Sequence, residues 1–118
     1  MDVRATVGRY GENVAVRYLE ELGFRILERN WRCGAGELDI IAVEGDCLVV
    51  CEVKTRRSEA FGPPHTAVTA RKLARLRRLT ATWLAEHDGS WPGIRLDVLA
   101  VSVQRSGPAT VEHLRAVG

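Results

Sequence analysis

The sequence predicts an α/β domain, a mixed central β-sheet flanked by helices in the order α-β-β-β-α-β-β. Three observations lead to it. Two long segments repeat apolar residues at helical spacing, Val- and Ile-rich runs of strand length lie between and after them, and Gly-containing turns punctuate the boundaries.

The first helix runs to about Leu22. Val7, Tyr10, Val14, Tyr18 and Leu22 recur at helical spacing, and Gly23 supplies the stop. Phe24 to Cys33 reads as a strand, followed by the clearer pair Glu37–Glu44 and Cys47–Thr55 around Gly45-Asp46. A loop containing Gly62-Pro63-Pro64 leads into a second helix, Thr66 to His87, whose apolar face is Leu73, Leu76, Leu79, Thr80, Trp83 and Leu84. Arg95 to Val103 is a further strand, and Thr110 to Val117 an edge strand.

A chain of 118 residues accommodates one domain and is too short for two. Its 46% apolar and 27% charged residues are ordinary for a globular protein. No apolar run reaches the roughly 20 residues of a membrane helix, and the polar start MDVRATVGRYGE argues against a signal peptide. Cys33, Cys47 and Cys51 cannot all pair and fit no zinc spacing, so free thiols in a cytoplasmic protein are expected. The net charge is only +2, but Lys54 to Arg78 holds eight Lys or Arg against one acid, Glu59. Such a local basic zone suits a polyanion.

The hairpin concentrates chemistry. With Gly first in a two-residue type II′ turn, Glu44 faces Cys47, Asp39 falls opposite Glu52, and Glu37 falls opposite Lys54. Opposed residues share a face, with Cβ atoms about 5 Å apart. One face then carries Leu38, Ile40, Ala42, Val49, Cys51 and Val53. The other carries Ile41, Val43, Leu48 and Val50, and beyond them Asp39, Glu52, Glu37 and Lys54. Both faces are apolar enough to be covered, which places the hairpin centrally in the sheet. Opposed carboxylates on a half-buried surface need compensation. Mg²⁺ or Mn²⁺ is the simplest source, since both prefer carboxylate oxygens; a salt-bridge cluster without metal is the alternative.

Glu12 falls inside the apolar arc of the first helix, between Leu19 and Val16. It either reaches the hairpin as a further ligand or snorkels outward at the edge of the arc. Gly8 and Gly11 flank it and permit close approach of helix to sheet.

Asp39 followed by Glu52-Val53-Lys54 is similar to the D…(D/E)xK signature of the restriction-endonuclease-like superfamily. The strings GRYGENVAVRYLEELGFRILERNWRC and GELDIIAVEGDCLVVCEVKTRR closely resemble the YraN-like family of small bacterial proteins, related to archaeal Holliday-junction resolvases. The resemblance extends from Gly8 through the RLDVLAV strand. It implies a core of order α-β-β-β-α-β, Asp39 and Glu52 as metal ligands, the Val53 carbonyl as a backbone ligand, and Glu12 as the acid beside the metal. It implies that Lys54 orients water or meets developing charge. Glu37 matches the YraN-like pattern and would lie behind the ligands. By analogy with resolvases it also suggests a homodimer.

The function expected is therefore Mg²⁺- or Mn²⁺-dependent, structure-selective DNA hydrolysis, with junctions or branched DNA favoured. The alternative is a nucleic-acid-binding accessory protein with the same fold and no significant turnover, because fold alone does not establish catalysis. Arg56 and Arg57 leave the active strand, and Arg71, Arg75 and Arg78 form one helical stripe, so these five are the expected phosphate contacts. No pattern suggests base-edge readout. His65, His87 and His113 are scattered and read as surface or loop residues, Asp97 as structural or as a residue behind the ligands, and Trp31, Trp83 and Trp91 as packing residues.

Overall fold

A computed structural model describes residues 3–57 and 69–118. The loop at Gly62-Pro63-Pro64, Glu59, His65 and the expected helix start at Thr66 lie outside the described residues. The elements are α1 (Val3–Glu21), β1 (Arg25–Cys33), β2 (Gly36–Glu44), β3 (Cys47–Arg57), α2 (Ala70–Glu86), β4 (Gly93–Val103) and β5 (Thr110–Leu114). This is the α-β-β-β-α-β-β order that the sequence predicts. The strands form one mixed sheet in the order β1-β2-β3-β4-β5, with β3 and β4 parallel and every other pair antiparallel. The parallel pair needs a crossover, and α2 lies within it.

Local chemistry sets the boundaries. The N–H of Phe24 bonds the Leu19 carbonyl and that of Gly23 bonds the Glu20 carbonyl, with Gly23 at φ 97°. This is a Schellman ending, in which a residue without Cβ adopts the left-handed conformation. Thr69 caps α2 by accepting from the Lys72 N–H at 3.1 Å. In the hairpin, Glu44 pairs with Cys47 and Gly45 has φ 63°, as a type II′ turn requires.

The helices cover opposite faces of the sheet. On one, Leu76, Leu79 and Trp83 of α2 pack with Leu38, Ile41, Val43, Leu48 and Val50. On the other, Ala15 and Leu19 of α1 pack with Ile40, Ala42, Val49, Cys51, Leu99 and Val101. Burial of β2 and β3 on both sides accounts for their nearly continuous apolar runs.

Two expectations about faces need correction. The buried stripe of α1 is Gly11, Ala15 and Leu19, whereas Tyr10 and Leu22 are 46% and 48% exposed. Small residues allow the closest approach, so the helix seats on them rather than on its larger apolar side chains. Leu38 packs on the α2 side with Ile41, not with Ile40. Strand alternation slips here, beside Asn30, which holds φ 53° in β1.

Candidate active site

The backbone pairs of β2 and β3 run from Glu44–Cys47 to Ile40–Cys51. One residue further, Asp39 Oδ2 accepts the Val53 N–H at 2.8 Å. The side chain takes up a backbone donor, so Asp39 and Glu52 are not the ladder partners that uninterrupted register predicts, nor are Glu37 and Lys54. The two acids remain electrostatic neighbours. Burial pushes the Asp39 carboxyl up to about 7, and Glu52, Glu37 and Glu12 add to that rise, against the lowering hydrogen bond from Val53. Among the described residues, no Lys or Arg pairs with it.

Glu12 points at the sheet. Its side chain is 12% exposed, and Oε2 accepts from Arg29 at 2.8 Å and from the Asn30 amide at 3.0 Å. The left-handed Asn30 lets two successive residues of β1 address α1. Gly11 makes this possible from the helix side, because a Cβ there would collide with the Thr55 side chain of β3. Gly8 has open space around it, so only one of the two glycines serves close approach.

Among the described residues, Asp39 borders two cavities. On the α2 side, a pocket of about 120 Å³ brings it together with Glu37, Glu52, Lys72 and Arg75. There Lys72 Nζ pairs with Glu52 Oε2 at 2.8 Å. The Arg75 guanidinium lies against Gly36, where a Cβ would meet it at 2.6 Å. On the α1 side, a cleft of about 880 Å³ contains Asp39, Glu12, Val53 and Lys54, and Arg56 and Arg57 also line it. Glu37 reaches both cavities and pairs with Arg32 at 3.2 Å. Arg71 and Arg78 are exposed on α2 and line neither.

The donor set suits a hard divalent ion in kind, with carboxylate oxygens, a strand carbonyl and surplus negative charge at Asp39. In position it is not assembled: among the described residues, no three acids, histidines or cysteines converge on one point. Glu52 is engaged by Lys72, and Glu12 by Arg29 and Asn30.

A second polar cluster has no sequence signal beyond its residue types. Asp97 is fully buried on β4, bound by Arg95 at 2.9 and 3.0 Å, by His113 Nε2 at 2.7 Å and by the Ala116 N–H at 3.0 Å. His113 Nδ1 meets the Tyr18 hydroxyl at 3.2 Å, and its side chain is 5% exposed. It is therefore not the surface or loop residue expected, because β5 carries it beneath α1. Asp97 lies outside both cavities at Asp39 and ties β4 to β5 and to the C-terminal backbone. His87 stacks on Trp83 with ring centroids 4.0 Å apart, and Trp31 and Trp83 are core residues. All three cysteines are free, and no described helix is long and apolar enough to cross a membrane.

Comparison with known proteins places this architecture in a family. The model of the uncharacterised protein family UPF0102 matches residues 11–101. Among similar proteins, a UPF0102 protein of Kineococcus radiotolerans is 62% identical over 94% of this chain and 92% of its own length. One from Beutenbergia cavernae is 58% identical over the whole of both chains, and one from Streptomyces griseus is 52% identical over 99% of each.

Proposed function

The chain belongs to the uncharacterised protein family UPF0102, and on that premise we propose a divalent-metal-dependent nuclease that acts on branched or otherwise structured DNA. The observation that carries this reading is Asp39 beside Val53 and Lys54 in a cleft, with Glu12, Glu37 and Glu52 around it and no cation paired to it among the described residues. Mg²⁺ or Mn²⁺ would be held by Asp39, Glu52 and the Val53 carbonyl, with Glu12 beside them. When bound, it would supply an activated water and charge neutralisation at the phosphoryl oxygens.

The chain's own residues perform the remaining tasks. The Val53 N–H fixes one oxygen of Asp39 and hence its orientation. Lys54 is exposed in the same cleft and can meet negative charge that develops on the phosphoryl group. Glu12, held by Arg29 and Asn30, forms a fixed wall of the cleft. Arg56 and Arg57 line the cleft beside Lys54, where phosphates flanking the reacting one would lie.

The second reading is a nucleic-acid-binding protein with the same fold and no significant turnover. It is favoured by one observation, the absence of a converged three-donor site among the described residues. Incubation of the purified protein with junction, flapped and linear DNA in Mg²⁺ or Mn²⁺ separates the two. Cleavage lost at least a hundredfold in Glu52→Gln and Asp39→Asn is expected. Activity surviving both substitutions would remove the site. Binding without cleavage on every substrate would favour the accessory reading.

A further inference from the structure

Resting on the reading of Asp39 as the hydrolytic centre, we propose that the polynucleotide backbone runs through the α1-side cleft, held by Arg9, Arg32 and Arg57, and not along the arginine stripe of α2.

The two basic regions that the sequence places close together lie on different sides of the sheet. α1 packs over Ile40, Ala42, Val49 and Cys51, whereas α2 packs over Ile41, Val43, Leu48 and Val50. The cleft containing Asp39, Glu12 and Lys54 is on the α1 side. A strand following Arg71 and Arg78 would meet neither Lys54 nor Glu12, because those arginines line neither cavity at Asp39. Arg75 does reach the smaller pocket, but there it lies against Gly36.

The α1-side cleft has its own cations. Arg9 comes from α1, Arg32 from β1 and Arg57 from the end of β3, so three separate elements place guanidinium groups around one acidic floor. All three residues are exposed. Among the described residues, Arg32 pairs with Glu37 alone, at 3.2 Å, and both side chains are open to water (77% and 45% exposed). A pair so exposed holds its arginine weakly, so a phosphate can replace Glu37 at little cost. The acids repel phosphate from the floor while the arginines attract it to the rim. A chain gripped on both sides can therefore present one phosphate to Asp39.

The composition of the cleft also defines what is recognised. Among the described residues, no Phe, Tyr or Trp lines it, so those residues offer no platform on which bases stack. Recognition is then of the phosphodiester backbone, indifferent to sequence, and salt-dependent. Single strands, duplexes and junctions share that chemistry.

Fluorescence anisotropy of the full chain in EDTA, with labelled single-stranded, duplex and four-way-junction DNA, tests this without turnover. On whichever substrate binds most tightly, Arg9→Ala/Arg32→Ala/Arg57→Ala should weaken binding at least tenfold. It should also reduce the slope of log K against log salt by about 2, roughly 0.7 for each phosphate contact on a single strand. Arg71→Ala/Arg78→Ala should bind within twofold of wild type. Should the triple variant fold poorly, Arg9→Ala and Arg57→Ala alone should each reduce the slope by roughly 0.7. An unchanged slope in the cleft variants, a larger loss in the α2 variant, or no binding by wild type would overturn the proposal. Because EDTA removes any metal step, these results are independent of whether Glu52→Gln abolishes cleavage.

Discussion

At Asp39, burial and three neighbouring carboxylates act in the same direction, and the fold supplies one backbone hydrogen bond against them. The folded carboxyl titrates near 7 and an unfolded aspartate near 4. Between those values the folded chain holds the proton more tightly than the unfolded one, so this group's contribution to stability falls as pH rises from about 4 to about 7 and is constant above. Asp39→Asn keeps an oxygen that can accept the Val53 N–H and removes the charge. It should therefore stabilise the metal-free protein at pH 8 by about 1–2 kcal/mol, allowing for solvent screening, with the gain vanishing near pH 4. Urea melts in EDTA across that range measure it. An Asn variant less stable than wild type at pH 8 would mean that the acids around Asp39 are compensated. The trade fits a functional group retained at a cost in stability.

At the scale of elements, α1 depends on a contact that hydrophobic periodicity does not reveal. Its seat on β3 is Gly11, where a Cβ would meet the Thr55 side chain. Replacing glycine by alanine inside a helix ordinarily gains up to about 1 kcal/mol. At Gly8, with open space around it, that gain should appear. At Gly11, forced separation of helix and strand should outweigh it, giving a net loss of about 1–3 kcal/mol and carrying Glu12 away from Arg29 and Asn30. Equal stability of the two variants in urea melts would refute the close approach. The same contrast explains what the sequence made legible. α2 buries large residues, so Leu76, Leu79, Thr80 and Trp83 were readable at helical spacing. The hairpin register was readable from Glu44–Cys47 to Ile40–Cys51, because a two-residue Gly-Asp turn admits one pairing, but not at Asp39, whose side chain takes the Val53 N–H in place of a ladder pairing with Glu52. The side of the sheet taken by Leu38 was not, because it depends on a slip beside a left-handed Asn30. Nor was the Lys72–Glu52 contact, which joins residues 20 apart through the placement of a helix.

Across the whole molecule, Asp97 joins β4 to β5 and to the C-terminal backbone. Its oxygens bind Arg95 of the same strand, His113 of β5 and the backbone of Ala116 near the C-terminus. Through His113 the cluster reaches Tyr18 of α1, and through Arg95 it reaches Glu44 at the hairpin turn, which Arg115 also holds. Apart from Arg95, these partners are distant in sequence, and for that reason periodicity could not find them. Burial alone would push the Asp97 carboxyl up. Hydrogen bonds from Arg95, Ala116 and His113 outweigh it and hold the group below the usual carboxylate range. A depressed folded pKa contributes stability that is present above the unfolded value, near 4, and is lost as pH falls through the folded one. Asp97→Asn removes the buried partner of Arg95, which keeps Glu44, so it should cost about 1–3 kcal/mol at pH 7. That cost should shrink below pH 4, where the wild-type carboxylate itself takes up a proton. Urea denaturation of both proteins from pH 3 to pH 7 gives the comparison. A gap independent of pH would show that Asp97 acts through shape and neutral hydrogen bonds rather than through its charge.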